Sequence, residues 1–462
     1  MQVLLLNKTT MPTTLEEAIQ IILKLQAKIS ELEELINSNS KNSSIPPSQD
    51  RKKLNKKKAT GRKQGGQPNH KANNRKLVSE DEVSEIVKCP PASVCECGSC
   101  IEPTGKYKRH QITDIPDKID LKITEYQLEY GKCKGCNKSC RAQLPEGVSW
   151  RWFGTNIQAQ LSELTTRYKL SRRDAVNVVN MLYGFKLCLG SVSNYEELTS
   201  QAVKDTYEEI KIELSKSECI NVDETGYSQK GIQRYAWIVA TIKVALFACN
   251  RSRGKKVAKE LIGENRRGFT TTDRYPGYAW LDVEKRQICW SHLIRDFVKI
   301  SLRSGDSQII ANQILEYCKK MFVLWREFLA SCAENAREVL KTQLEPIRQE
   351  ILRLIEKGAI TAHLKSRRTF EKILKLKDSL WTFVDYVGVE PTNNLAERGL
   401  RPLVIHRKKS FGTQSDRGSR FIERLFSLVF TASLLRISAS EFLKKAIDAF
   451  KAKKPCPKFV IV

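Results

Sequence analysis

Apolar residues recur along this chain with two different periods, and the switches between them mark its parts. Over residues 14–37, Leu15, Ala18, Ile22, Leu25, Ile29, Leu32 and Ile36 follow alternating steps of three and four, the seam of a coiled coil. Thr14 and Glu17 have capping-box spacing at its start. Three heptads are marginal alone, so this helix should need a partner and the chain should form a homo-oligomer. Ser-, Asn- and Pro-rich sequence follows, and 38–80 reads as a linker and a glycine-containing arm. The segment HQITDIPDKIDLKITEYQLEY then alternates apolar and polar residues as strands do.

The helical period returns over 155–205. Ile157, Leu161 and Leu164 share one face, and Ser171 caps a second helix carrying Ala175, Val178, Val179 and Leu182. Gly184 ends that helix, and Ser191 is placed to cap a third. From 218 the pattern changes to strands. ECINVDE, RYAWIVATI and VALFACN come first, then a helix in SRGKKVAKELIG, a strand in GFTTTDRY, and a strand running into a helix in RQICWSHLIRDFVKI. Three adjacent strands followed by strand and helix units predict a mixed sheet flanked by helices, hence a multidomain α/β protein. Residues 303–385 read as wholly helical, with a stripe at Leu340, Leu344, Ile347, Ile351 and Leu354 that Pro346 should kink or bound.

Charge narrows the function. Lys and Arg number 79 against 52 Asp and Glu, a net charge of +27, which draws a protein towards polyanions. DNA is the first candidate partner and an anionic membrane the second. No apolar run approaches the ~20 residues that span a bilayer, and the opening MQVLLLNKTT lacks the charged region of a secretory signal, so the expected location is cytoplasmic, at the nucleoid. Arg51 to Lys76 holds 11 Lys or Arg and no acid, and Lys56, Lys57, Lys58, Arg62 and Lys63 are expected to bind phosphates. The helical stretch 155–205 suggests a helix-turn-helix-like DNA-binding module.

Seven of the 14 cysteines lie between Cys89 and Cys140. Cys97, Cys100, Cys133 and Cys136 make two CxxC knuckles, each offering two thiolates with the bite that tetrahedral zinc requires. With the alternating segment between them, 85–145 reads as a zinc ribbon, with Cys89, Cys95 and Cys140 left over.

Three acids stand at informative places. Asp223 and Asp273 end predicted strands, and Glu397 lies in the first turn of a predicted helix. Carboxylates from such places can converge to hold magnesium or manganese for phosphodiester chemistry. Each also has a plainer explanation. Asp223 beside Glu224 can open a turn before Gly226, and Asp273 can be a turn acid before Pro276. Glu397 can cap with Asn394 or pair with Arg401.

VDETGY, TDRYPGY, CWSHLIRDF, NNLAERGLRPL and FGTQSDRGS, in this order, resemble the transposases of the insertion sequence 66 family, as do NSSIPPSQD and GRKQGGQPNHK upstream. The resemblance covers nearly the whole chain. It implies an RNase-H-like core over 215–300 and 390–450, interrupted by a helical insertion at 301–389, with Asp223, Asp273 and Glu397 as its catalytic, metal-holding triad. It places His292 and Arg295 on the family's His-x-x-Arg element, and Asn394, Arg398 and Arg401 around the last acid, as phosphate-binding or positioning residues. It further implies cleavage at transposon ends and transfer of a 3′ hydroxyl into target DNA, terminal inverted repeats as a partner, and small accessory proteins from the same element. Asn69, Arg274 and Ser291 depart from the usual pattern, and Arg274 puts a cation beside a proposed ligand. The competing readings are a non-catalytic zinc-containing DNA-binding regulator, a decayed transposase copy, and an RNA-processing nuclease of the same fold.

Overall fold

The structure is a computed structural model that describes residues 14–37, 76–116 and 119–460. It divides into a small unit, Lys53–Ile123, and a larger one made of Met1–Lys52 and Thr124–Val462. Helix α1 spans Leu15–Asn37, and the amide of Glu17 donates to Thr14 Oγ1 at 3.2 Å, one half of the expected cap. Leu15, Ile22, Leu25, Ile29, Leu32 and Ile36 are all exposed along it. Among the described residues no helix is long and apolar enough to cross a membrane.

In the small unit, an antiparallel bridge pairs Val94 with Cys100, and side chains tie backbone further along. Gln111 both donates to and accepts from the backbone of Val78, and Arg109 donates to the same carbonyl at 2.8 Å. The alternating stretch 110–130 does not form the expected strands. Among its described residues, strand begins only at Tyr130, in β1 (Tyr130–Lys132), which pairs antiparallel with β2 (Ser139–Arg141). Ile112, Ile115 and Ile123 are more than 70% exposed. Alternation stabilises a strand only when one face is buried, and these three residues are exposed.

Three helices follow: α2 (Thr155–Thr166), α3 (Arg172–Tyr183) and α4 (Leu189–Ala202). Ser171 caps α3 and Gly184 closes it at φ 71°, as the sequence predicts. Helix α4 starts earlier than predicted. Cys188 is its cap, its sulfur accepting from the Ser191 amide at 3.4 Å, so Ser191 lies inside the first turn. Leu161, Ala175, Val179, Leu187, Val192 and Tyr195 form their core. Helix α5 (Lys204–Lys216) is additional to the predicted elements, and Tyr207, Ile210 and Leu214 carry its buried stripe.

The main sheet comprises β3 (Cys219–Gln229), β4 (Ile232–Ala240), β5 (Ala245–Asn250), β6 (Phe269–Thr272) and β7 (Arg286–Ile288), with α6 (Lys255–Ile262) between β5 and β6. The strand order is β5-β4-β3-β6-β7. Strand β4 runs antiparallel to both β5 and β3, and β6 and β7 run parallel to β3. Strand β3 runs six residues past Asp223 because a tight turn at Lys230 (φ 54°) and Gly231 (φ 74°) folds β4 back along its whole length. Asp223 therefore sits inside a strand rather than at its end.

Residues 236–240 of β4 are buried on both faces, and they alternate between two cores. Ala236, Ile238 and Ala240 join α12 (Asn394–Ser410), α13 (Asp416–Leu434) and α14 (Ala439–Lys451), whereas Trp237 and Val239 pack with α5 and α6. The sheet is thus the middle of three layers. Between β7 and α12 the chain forms α7 (Trp290–Ser301), α8 (Asp306–Ala330), α9 (Ala336–Gly358), α10 (Leu364–Leu374) and the short α11 (Thr382–Asp385). These helices share a core of their own. Helix α9 extends on both sides of Pro346, which is therefore not its boundary.

Candidate active site

The parallel register between β3 and β6 places two of the three acids. Asn221 is paired with Thr271, so Asp223 and Asp273 each lie two residues further on, side by side where the ladder stops. Successive strand residues face opposite ways, which separates Asp223 from its neighbour Glu224. Asn221 and Thr225, on either side of Asp223, both contact α12, through Asn393 and Arg407. Glu224 faces the other layer, where the Tyr278 hydroxyl donates to its carboxylate.

Glu397 comes from the first turn of α12. The N-cap is Asn393, not Asn394, and its side chain does not cap the helix. Asn393 is fully buried. Its Nδ2 donates to the Val222 carbonyl at 2.7 Å, its Oδ1 accepts from Asn221 at 3.1 Å, and its amide donates to Cys289 Sγ at 3.2 Å. One residue thus joins β3, the start of α7 and the start of α12. Gly399 lets that helix lie close: a Cβ there would meet Ile238 Cδ1 at 2.3 Å.

Arg286 is a second residue the sequence did not single out. It is buried in β7 and donates to Thr272 Oγ1 at 3.0 Å, the Asp273 carbonyl at 2.8 Å and the Tyr278 carbonyl at 3.1 Å. It therefore clamps the loop that carries Asp273, and burial lowers its own pKa to about 10. The Asp273 side chain accepts from the Tyr275 amide at 2.9 Å. No local signal could have found Arg286 or Asn393, because their partners lie on other elements.

His292 Nε2 and Arg295 Nη2 approach Glu397 Oε1 at 3.7 Å and 3.9 Å. Arg274 pairs with Asp296 on α7, which occupies the cation beside Asp273. Asn394, Arg398 and Arg401 are exposed, and Arg398 Nε donates to the Asn394 carbonyl at 3.3 Å. Lys56, Lys57, Lys58, Arg62 and Lys63 lie outside the described residues.

Electrostatically the cluster is under stress. The Asp223 carboxyl is held well above the usual range, first by loss of water and then by repulsion from Glu224, Asp273 and Glu397. Burial likewise raises Glu224 to about 7. Burial, helped by the Arg295 cation, pushes His292 down.

The family described as "Transposase IS66 family" matches residues 152–421, more than half of the chain. The chain belongs to this family of IS66 transposases. A family of unknown function matches residues 10–76. Three uncharacterized proteins of Sinorhizobium fredii (strain NBRC 101917 / NGR234) are similar to parts of the chain. The one called y4hP is 20% identical over 407 residues, 80% of this chain and 72% of its own length. The one called y4qI is 26% identical over 41% of this chain, and y4jD is 20% identical over 39%. Those two matches span only 37% and 35% of the relatives' own lengths. The IS66 match takes in α2 to α12, with the sheet and all the acids described above.

Proposed function

We propose that this IS66 transposase cuts DNA at the ends of its element and joins the freed 3′ hydroxyl to target DNA, with Asp223, Asp273 and Glu397 as its acids. The observation that carries the reading is the register that sets Asp223 and Asp273 side by side, on the face where α12 delivers Glu397. A sheet of three antiparallel strands continued by two parallel ones supports an RNase-H-like core.

The donor set fits divalent magnesium or manganese. Half-buried carboxylates crowded round Asp223, whose ionisation they oppose, are what a hard cation with oxygen ligands compensates. Bound by Asp223, Asp273 and Glu397, such ions would stabilise charge on the phosphodiester and ease deprotonation of the attacking hydroxyl or water. Arg286 fixes the loop behind Asp273, and His292 and Arg295 orient Glu397. Arg398 and Arg401 hold phosphates. An Arg stays charged and cannot act as a base.

The test uses the full chain, a duplex carrying an element end, and a target plasmid. Magnesium-dependent cleavage followed by joined product is expected, and a chelator should remove both. Cleavage that persists in chelator would sink the metal mechanism, and tight binding without cleavage in any divalent cation would favour the regulator reading.

Zinc at Cys97, Cys100, Cys133 and Cys136 is part of the same proposal. Each knuckle turns hydrogen-bond donors onto its own thiol. The Ser99 amide and hydroxyl lower Cys97, and the Cys136 and Gly135 amides lower Cys133. Such donors favour the thiolate that zinc needs. Purified protein should carry about one zinc per chain, and Cys97→Ser or Cys133→Ser should release it. Elemental analysis finding no zinc in active protein would overturn this. The open seam of α1 supports pairing with a second copy of the chain.

A further inference from the structure

Among the described residues, one group of metal-binding side chains has three donor atoms within 4.8 Å of one another, and it is not the acidic triad. It consists of Cys289, His292 and Glu397. Cys289 is the N-cap of α7 and His292 lies in its first turn, so the Cys-x-x-His spacing sets both side chains towards the start of α12. Glu397 Oε1 lies 3.7 Å from His292 Nε2 and 3.9 Å from Cys289 Sγ. Tetrahedral zinc with ordinary bond lengths holds such pairs about 3.3 to 3.6 Å apart. Both pairs that include Glu397 Oε1 are therefore within a few tenths of an ångström of a zinc-sized shell before any ion draws them in, and the third pair lies within 4.8 Å. The cysteine is also dressed as a ligand: the Asn393 amide donates to its sulfur at 3.2 Å.

Ligand chemistry separates this group from the triad. Magnesium takes oxygen and avoids sulfur, whereas a thiolate and an imidazole select zinc or cadmium. Glu397 Oε1 belongs to both sets, so one ion bound to it through Cys289 and His292 competes with the other.

We propose that Cys289, His292 and Glu397 form a second, thiolate-containing site for a zinc-class cation, and that its occupation withdraws Glu397 from the magnesium-holding acids and inhibits cleavage. The inhibitory part rests on the reading of Glu397 as one of those acids; the binding part does not. Coordination forms the Cys289 sulfur–metal bond and releases the thiol proton to solvent, with no change of oxidation state. Open solvent supplies the fourth ligand, since Glu397 and His292 are only partly buried.

The probe is cadmium, added to full-length wild-type protein, Cys289→Ser and His292→Gln. The knuckle cysteines are the same in all three, so the difference in thiolate-to-cadmium absorbance between wild type and Cys289→Ser isolates Cys289. One thiolate per chain is the expected difference. In the second arm, cleavage is measured at fixed magnesium with rising zinc, each protein relative to its own uninhibited rate. The half-inhibiting zinc concentration should rise about tenfold or more in both variants. Equal absorbance in folded wild type and Cys289→Ser overturns the site. Unchanged half-inhibition in both variants overturns the competition. If no protein cleaves DNA, the triad reading fails while the absorbance arm still decides the site. If Cys289→Ser does not fold, a cadmium-induced rise in melting temperature that His292→Gln loses supports the site, and one it retains overturns it.

Discussion

Asp223→Asn is expected to reduce DNA cleavage on the order of a thousandfold or more and to leave DNA binding unchanged or slightly tighter. Asn has the size of Asp and keeps an acceptor for the Glu224 amide, which donates to Asp223 Oδ1 at 2.9 Å. What disappears is a charge that holds metal. The same substitution should stabilise the metal-free fold, because it ends repulsion with Glu224, Asp273 and Glu397 and the cost of a poorly hydrated carboxylate. The sign with pH follows. A carboxyl whose folded-state pKa is raised favours the fold when protonated and loses that contribution as pH climbs through the raised value. The stability advantage of the variant should therefore be larger at about pH 8 than at about pH 5, in chelator. Glu224→Gln should cleave nearly normally, because Glu224 faces Tyr278 in the other layer. Cleavage of an end-bearing duplex compares them, and equal losses at 223 and 224 would count against the assignment.

Asn393→Leu should cost about 2–4 kcal/mol of stability and lower cleavage of the folded enzyme, whereas Asn394→Ala should change stability by less than about 0.5 kcal/mol. Asn393 satisfies the Val222 carbonyl and Asn221 from a buried position, and leucine of similar volume leaves both without it. The start of α12 would then be free to move relative to β3, taking Glu397 away from Asp223. Asn394 is exposed and has no such task. Chemical denaturation measures the stabilities, and rates at saturating DNA separate positioning from binding. Comparable destabilisation at the two neighbours would show that Asn393 is not the tie.

Much of this arrangement was legible in the sequence wherever the cause is local. Ser171 and Gly184 bound α3 through cap chemistry that needs only its own neighbours. The sheet strands were legible because their apolar residues face helices on both sides. The alternation at 110–130 misled because a period of two shows that a face exists, not that anything covers it. Helix α5 was overlooked although Tyr207, Ile210 and Leu214 have helical spacing, because charges surround them. The length of β3 depends on the turn at Lys230 and Gly231, which sets how far β4 folds back along it. Asn393 and Arg286 were out of reach in principle: they act through partners 8 to 172 residues away, on other elements.

The parallel register has a consequence for how relatives of this chain can differ in length. Adding one residue between Asn221 and Asp223, or between Thr271 and Asp273, turns the acid to the opposite side of the sheet, with no partial version available. Helices α8 to α10 close mainly on their own apolar stripes, so turns can be gained or lost there without disturbing that alignment. Insertions and deletions should accordingly accumulate between β7 and α12, while the short tethers that end in Asp223 and Asp273 keep a constant count.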